Sequence, residues 1–151
     1  MNKTNHLSSD GMDCGKYPFF TNENNSKKFL NSFDFDGEYV ICNTGGKANF
    51  KYFNGKFSCM SDCLVIKTNG YSTKKLYYYL QNKTSFIDNL YFKGSGLKHL
   101  DIKQFKKMKV FNCAEHEYQL MDSISKKIDI EKKYLLNLRN QKRYFLNNLF
   151  I

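Results

Sequence analysis

The chain has 151 residues, 41% hydrophobic and 17% aromatic, with 24 Lys and Arg against 14 Asp and Glu, a net charge of +10 and a pI near 9.3. That length holds one compact domain with a real core plus an appendage, not two full domains. The apolar content excludes a disordered chain, no run reaches the length of a membrane span, and the basic balance points to a polyanion.

The first fifteen residues are polar and carry no apolar leader, so a cytoplasmic protein is expected, and its five cysteines are read as free thiols. Cys59 and Cys63 have the spacing of half a zinc site, but no second Cys or His pair follows at ligand distance. From Lys16 to about Lys67 the pattern is strand-like. Pro18 suits a sheet edge or the start of a strand. Asp36-Gly37 reads as a turn before the apolar run Tyr39-Val40-Ile41, Gly45-Gly46 as a break, and Asn54-Gly55 as a turn between strands Ala48–Tyr52 and Lys56–Ile66.

After Gly70 the period changes to helical. Ser72-Thr73 cap a helix through Leu76 to Leu80, Ser85 to Tyr91 continue it after a break, Asp101 to Lys107 form a short helix, and Met108 to Phe111 a last strand. The expected fold is α+β. From Asn112 to Phe150 there is no Gly or Pro, and Asn112 with Glu115 supplies a capping pair. Met121, Ile128, Leu135, Lys142 and Leu149 recur every seven residues, with Ile124, Glu131, Leu138 and Phe145 three after the first four, a heptad seam. Such a seam needs a partner chain, unless the helix folds back on its own domain. The expected division is a globular domain at 1–112 and a helix at 113–151.

Catalytic motifs are sparse. Thr44-Gly45-Gly46-Lys47-Ala48 lacks the hydroxyl and the upstream glycine of a phosphate loop, no glycine-rich βαβ unit signals a dinucleotide or S-adenosylmethionine site, and His6, His99 and His116 are scattered. A nuclease would need a carboxylate or histidine cluster that the sequence lacks. The segment Tyr91-Phe92-Lys93-Gly94-Ser95-Gly96-Leu97-Lys98-His99-Leu100 stands out instead: its glycines permit close approach, and its Lys, Ser and His can donate to phosphates or base edges.

Taken in order, Gly15-Lys16-Tyr17-Pro18-Phe19-Phe20-Thr21, Phe35-Asp36-Gly37-Glu38-Tyr39-Val40-Ile41, Gly45-Gly46, Gly55-Lys56-Phe57 with Ser61-Asp62, the tyrosines of Leu76 to Leu80, the Gly94 to Leu100 segment and the closing run Leu138 to Ile151 resemble the DNA-specificity (S) subunits of type I restriction-modification systems. The resemblance implies a non-catalytic, sequence-specific subunit in which a target-recognition domain reads half of a split site on double-stranded DNA. It implies a spacer helix that packs antiparallel on a second such helix. It also implies a methyltransferase (M) subunit carrying S-adenosylmethionine, and in the full complex a restriction (R) subunit; no cofactor is expected on this chain. With one domain and one helix, the chain is expected to homodimerise as a half-subunit. Loops and polarity nominate Lys16, Tyr17, Thr21, Asn22, Lys47, Asn49, Lys51, Lys93, Ser95, Lys98 and His99 for DNA, and Ile124, Ile128, Leu135, Leu138, Phe145 and Leu149 for dimerisation. The alternatives are a silent, truncated specificity cassette that only dimerises and, less favoured, a small nuclease.

Overall fold

The computed structural model describes residues 1–23, 27–110 and 114–149. The expected cap at Asn112, with Phe111, Cys113, Phe150 and Ile151, lies outside them. The chain divides into two compact units, Met1–Phe111 and Asn112–Ile151.

The first unit is built on strands β1 (Tyr17–Phe20), β2 (Lys28–Leu30), β3 (Phe35–Asn43), β4 (Phe50–Cys59) and β5 (Cys63–Ile66). They form one mixed sheet in the order β2-β1-β4-β3-β5, with only the β1–β4 pair parallel. Helices α1 (Thr73–Asn82) and α2 (Thr84–Tyr91), a two-stranded ladder of β6 (Phe92–Lys93) and β7 (His99–Leu100), and the single turn α3 (Ile102–Phe105) follow. The architecture is α+β. Alternation along β3 sends Val40 and Cys42 to a core with Phe50, Leu76, Leu80, Ile87 and Phe105, and Tyr39 and Ile41 to an aromatic core around Phe57. Both faces of β3 are covered, which is why its sequence reads as a continuous apolar run.

Two sequence expectations fail here for one reason. Neither Asp36-Gly37 nor Asn54-Gly55 is a turn: β3 and β4 run through them without a break, and Gly37 is the register partner of Gly55. Both glycines have left-handed φ values, 119° and 137°, and a ring from the same strand, Tyr39 or Phe53, lies over each. A pair of opposed glycines lets the ribbon bend where side chains would resist. The real reversals are at residues 44–49, which include Gly45-Gly46, and at 60–62. Pro18 takes the start of β1, which is an interior strand. Met108 to Val110, expected in a strand, join no ladder; the Met108 side chain packs on the helical core instead.

The helical expectations hold more closely. Ser72 caps α1 by accepting from the Lys75 N–H at 3.3 Å, and Asp101 caps α3 from Gln104 at 3.1 Å. The second unit contains α4, Glu115–Leu149, 35 residues and about 50 Å long. Its N-terminus is closed by Glu117, whose carboxylate accepts from the Ala114 N–H at 3.2 Å. No described α4 side chain is buried, and Ile124, Ile128, Leu135, Leu138, Phe145 and Leu149 are all exposed.

Candidate nucleic-acid interface

Four loops of the first unit converge on one cleft of about 490 Å³, lined among others by Asn22, Asn43, Gly45, Lys47, Asn49, Asp62, Leu97 and His99. Backbone and side-chain hydrogen bonds lock the loops together. Gly46 N–H donates to the Lys98 carbonyl at 2.9 Å and Leu100 N–H to Thr44 at 2.9 Å, so the segment ending in β7 docks on the β3–β4 loop. Thr44 donates to the Asp62 carbonyl twice, through N–H at 2.8 Å and Oγ1 at 2.9 Å, and the Asn43 amide donates to the Asn22 carbonyl at 3.1 Å. The fold thereby turns residues far apart in sequence into one polar rim with fixed backbone.

Of the nominated residues, Asn22, Lys47, Asn49 and His99 line this cleft, while Lys93, Ser95 and Lys98 belong to the adjoining glycine segment. Two of these lysines are engaged: Lys93 pairs with Asp101 at 3.0 Å and Lys98 with Asp88 at 3.5 Å. Thr21 is buried, its hydroxyl accepting from Glu23 N–H at 3.3 Å. Lys51 is half-buried, its ammonium donating to the carbonyls of Thr21 at 3.0 Å and Glu23 at 2.8 Å. That makes it a staple for the 21–23 loop rather than an open phosphate ligand, and burial lowers its pKa. Lys16 and Tyr17 stand at the other end of β1 from Asn22, roughly 16 Å away along an extended strand, and the Tyr17 ring packs on Phe33. They are not part of the cleft.

Beneath the cleft lie two buried thiols. The Cys63 thiol donates to the Phe20 carbonyl at 3.9 Å and the Asn22 side-chain oxygen at 3.8 Å, while the adjacent Cys63 sulfur and burial push the Cys59 thiol up. Among the described residues no three His, Cys, Asp or Glu gather where they could hold a metal ion. The charge is concentrated in the first unit: residues 1–111 carry 17 lysines against nine acidic residues, a net +8, and residues 112–151 the remaining +2.

The model of the type I restriction modification DNA specificity domain matches residues 2–140 of this chain. The chain belongs to that family. A putative type I specificity subunit of Mycoplasma pneumoniae is 40% identical over 85 residues, which cover 52% of this chain and 23% of that protein. The crystal structure of a type I restriction-modification S subunit from M. genitalium matches the fold with a TM-score of 0.75 at 17% identity, over 95% of this chain and 40% of that one. The specificity domain described here therefore spans well under half the length of these relatives.

Sequence reasoning missed several residues of this specificity domain's cleft. Asn43 ends a strand that otherwise reads as core, and Asp62 sits in a three-residue turn; outside the cleft, Asp88 lies on α2 some forty residues from the loop it holds. No local pattern marks a side chain whose partner is chosen by tertiary packing. Leu97, the exposed apolar tip of the glycine segment, was visible as part of that segment but carried no role.

Proposed function

We propose that this chain is a non-catalytic reader of one half of a divided double-stranded DNA site, with residues 1–112 as the target-recognition domain and 113–151 as the spacer and dimerisation helix. The observation that carries the reading is the convergence of Asn22, Lys47, Asn49 and His99 on loops hydrogen-bonded to one another, on the unit that holds +8 of the charge. Phosphates would be met by the lysines, and base edges by amide and imidazole groups with both donor and acceptor atoms.

Two copies join through α4. Its first half, residues 115–131, has five acidic residues and two lysines, and its second, 132–149, has five basic residues and no acid. In a parallel pair like charges would lie side by side; in an antiparallel pair each acidic half lies along a basic one, while the seam from Met121 to Leu149 supplies the apolar contact. The resulting two-fold pair presents two recognition domains at a fixed separation and reads an inverted, interrupted sequence. Methyl transfer and cleavage belong to partner M and R subunits in the cytoplasm, with S-adenosylmethionine on the M subunit.

The test pairs two assays on the purified chain. Incubation with labelled S-adenosylmethionine and duplex, or with plasmid and magnesium, is expected to give no turnover. Fluorescence anisotropy is expected to show duplex binding that weakens steeply with salt. Reproducible turnover that co-purifies with the chain, or binding indifferent to salt, contradicts the reading.

A further inference from the structure

We propose that Asp88 is a positioning residue for DNA reading: its carboxylate bolts the β3–β4 loop to the glycine segment and fixes where Lys47 and Lys98 can reach. This inference rests on the reading that the cleft face meets DNA. One carboxylate oxygen accepts the Ala48 N–H at 2.7 Å, one residue from Lys47, and the other faces the Lys98 ammonium at 3.5 Å. The two loops are thus held by one side chain on a third element. Its neighbour on α2, Ile87, is fully buried in the helical core, so the anchor itself has little freedom.

An acidic group beside a phosphate-binding surface is electrostatically unfavourable for DNA, since it repels the backbone that the lysines attract. Its presence there is intelligible if the geometry it imposes contributes more than its charge costs. This gives the proposal an unusual sign. Removing Asp88 should leave binding to arbitrary duplex as tight as before, or tighter, because a repulsive charge is lost and Lys98 is released to solvent. Discrimination should fall, because base readout depends on fixed loops while phosphate contacts do not. A residue needed only for folding would lower both together.

Two variants separate the two ties. Asp88→Asn keeps an oxygen for Ala48 N–H but drops the ion pair with Lys98; Asp88→Ala drops both. Binding is measured by anisotropy, with the methyltransferase partner present, on a random-sequence duplex and on the duplex that the wild-type chain enriches from a random pool. Thermal melts are run in parallel. The expected result is discrimination reduced by roughly tenfold in Asp88→Ala and less in Asp88→Asn, with random-duplex affinity held or raised, as for the loss of about one good base contact. Unchanged discrimination in both variants overturns the proposal, and so does a parallel fall in both affinities with a lowered melting temperature. Amide exchange at Ala48, which donates to Asp88, and at Gly46, which donates to the Lys98 carbonyl, gives a readout without DNA: it should quicken in Asp88→Ala. If wild type enriches no sequence, the DNA reading fails by itself, and unchanged exchange at those two amides then shows that Asp88 is no bolt either.

Discussion

Replacing Leu135 and Leu138 together with alanine should separate the two copies while leaving each helix intact. Alanine is chosen because it favours helix more than any other residue, so a loss of association cannot be traced to lost helicity. Burying an exposed leucine is worth about 1.5–3 kcal/mol, but on the single helix Leu135 is 52% exposed and Leu138 41%, so roughly half of that remains to be gained in a seam. Four such side chains meet in a dimer, two from each copy. The expected loss is about 3–6 kcal/mol, or two to four orders of magnitude in the dimer dissociation constant at about 1.4 kcal/mol per decade. Sedimentation equilibrium measures it directly, with Lys133→Ala and Asn140→Ala on the opposite face as controls that should change nothing. Orientation follows from disulfide trapping in a Cys14→Ser, Cys113→Ser background: chains bearing Ile124→Cys should cross-link to chains bearing Leu149→Cys and not to themselves. A double alanine variant that sediments as wild type would refute the seam, and efficient Ile124→Cys self-cross-linking would refute the antiparallel arrangement.

Other consequences follow from the first unit. Gly55→Ala forces a side chain onto a backbone at φ 137°, with the Phe53 ring 3.4 Å from the new Cβ, and should cost about 1–3 kcal/mol in denaturant unfolding; a neutral result would mean the ribbon does not need the glycine pair. Lys47→Ala should reduce the salt slope of DNA binding by roughly one, whereas Lys51→Met should lower the unfolding midpoint and leave that slope alone. A reduced slope for Lys51→Met would return that residue to the phosphate contacts. The Asp101 carboxyl is held below its ordinary value, first by the Gln104 N–H and then by Lys93. Its folded pKa is therefore below its unfolded one, so its contribution is fully present above about pH 3.9 and is lost as pH falls through the folded value. A carbon-detected titration should place its midpoint below about 3.9, and a midpoint at or above that contradicts the cap.

The parts of this fold that could be read from sequence are those governed by near neighbours. Ser72 and Asp101 cap helices because their oxygens reach N–H groups three residues away, and α4 announces itself by its heptads and by the absence of Gly and Pro. The Asp36-Gly37 and Asn54-Gly55 pairs misled because a glycine with positive φ serves a bend within a ribbon as well as a turn at its tip, and the sequence does not say which glycine stands opposite. The same limit divides the candidate site. Lys47, Asn49 and His99 were legible as polar residues beside glycines, but whether a lysine is open or engaged depends on distant partners, which is why Lys51 reads like Lys47 in sequence and differs from it in the fold.

Whether the chain reads half of a divided site as a two-fold pair is decided by selecting bound duplexes from a random pool in the presence of the methyltransferase partner and sequencing them. An inverted repeat of two short identical half-sites around a gap of fixed length is expected, weakened by the Leu135→Ala and Leu138→Ala pair. A pool that stays random, or a single uninterrupted asymmetric consensus, would contradict this reading.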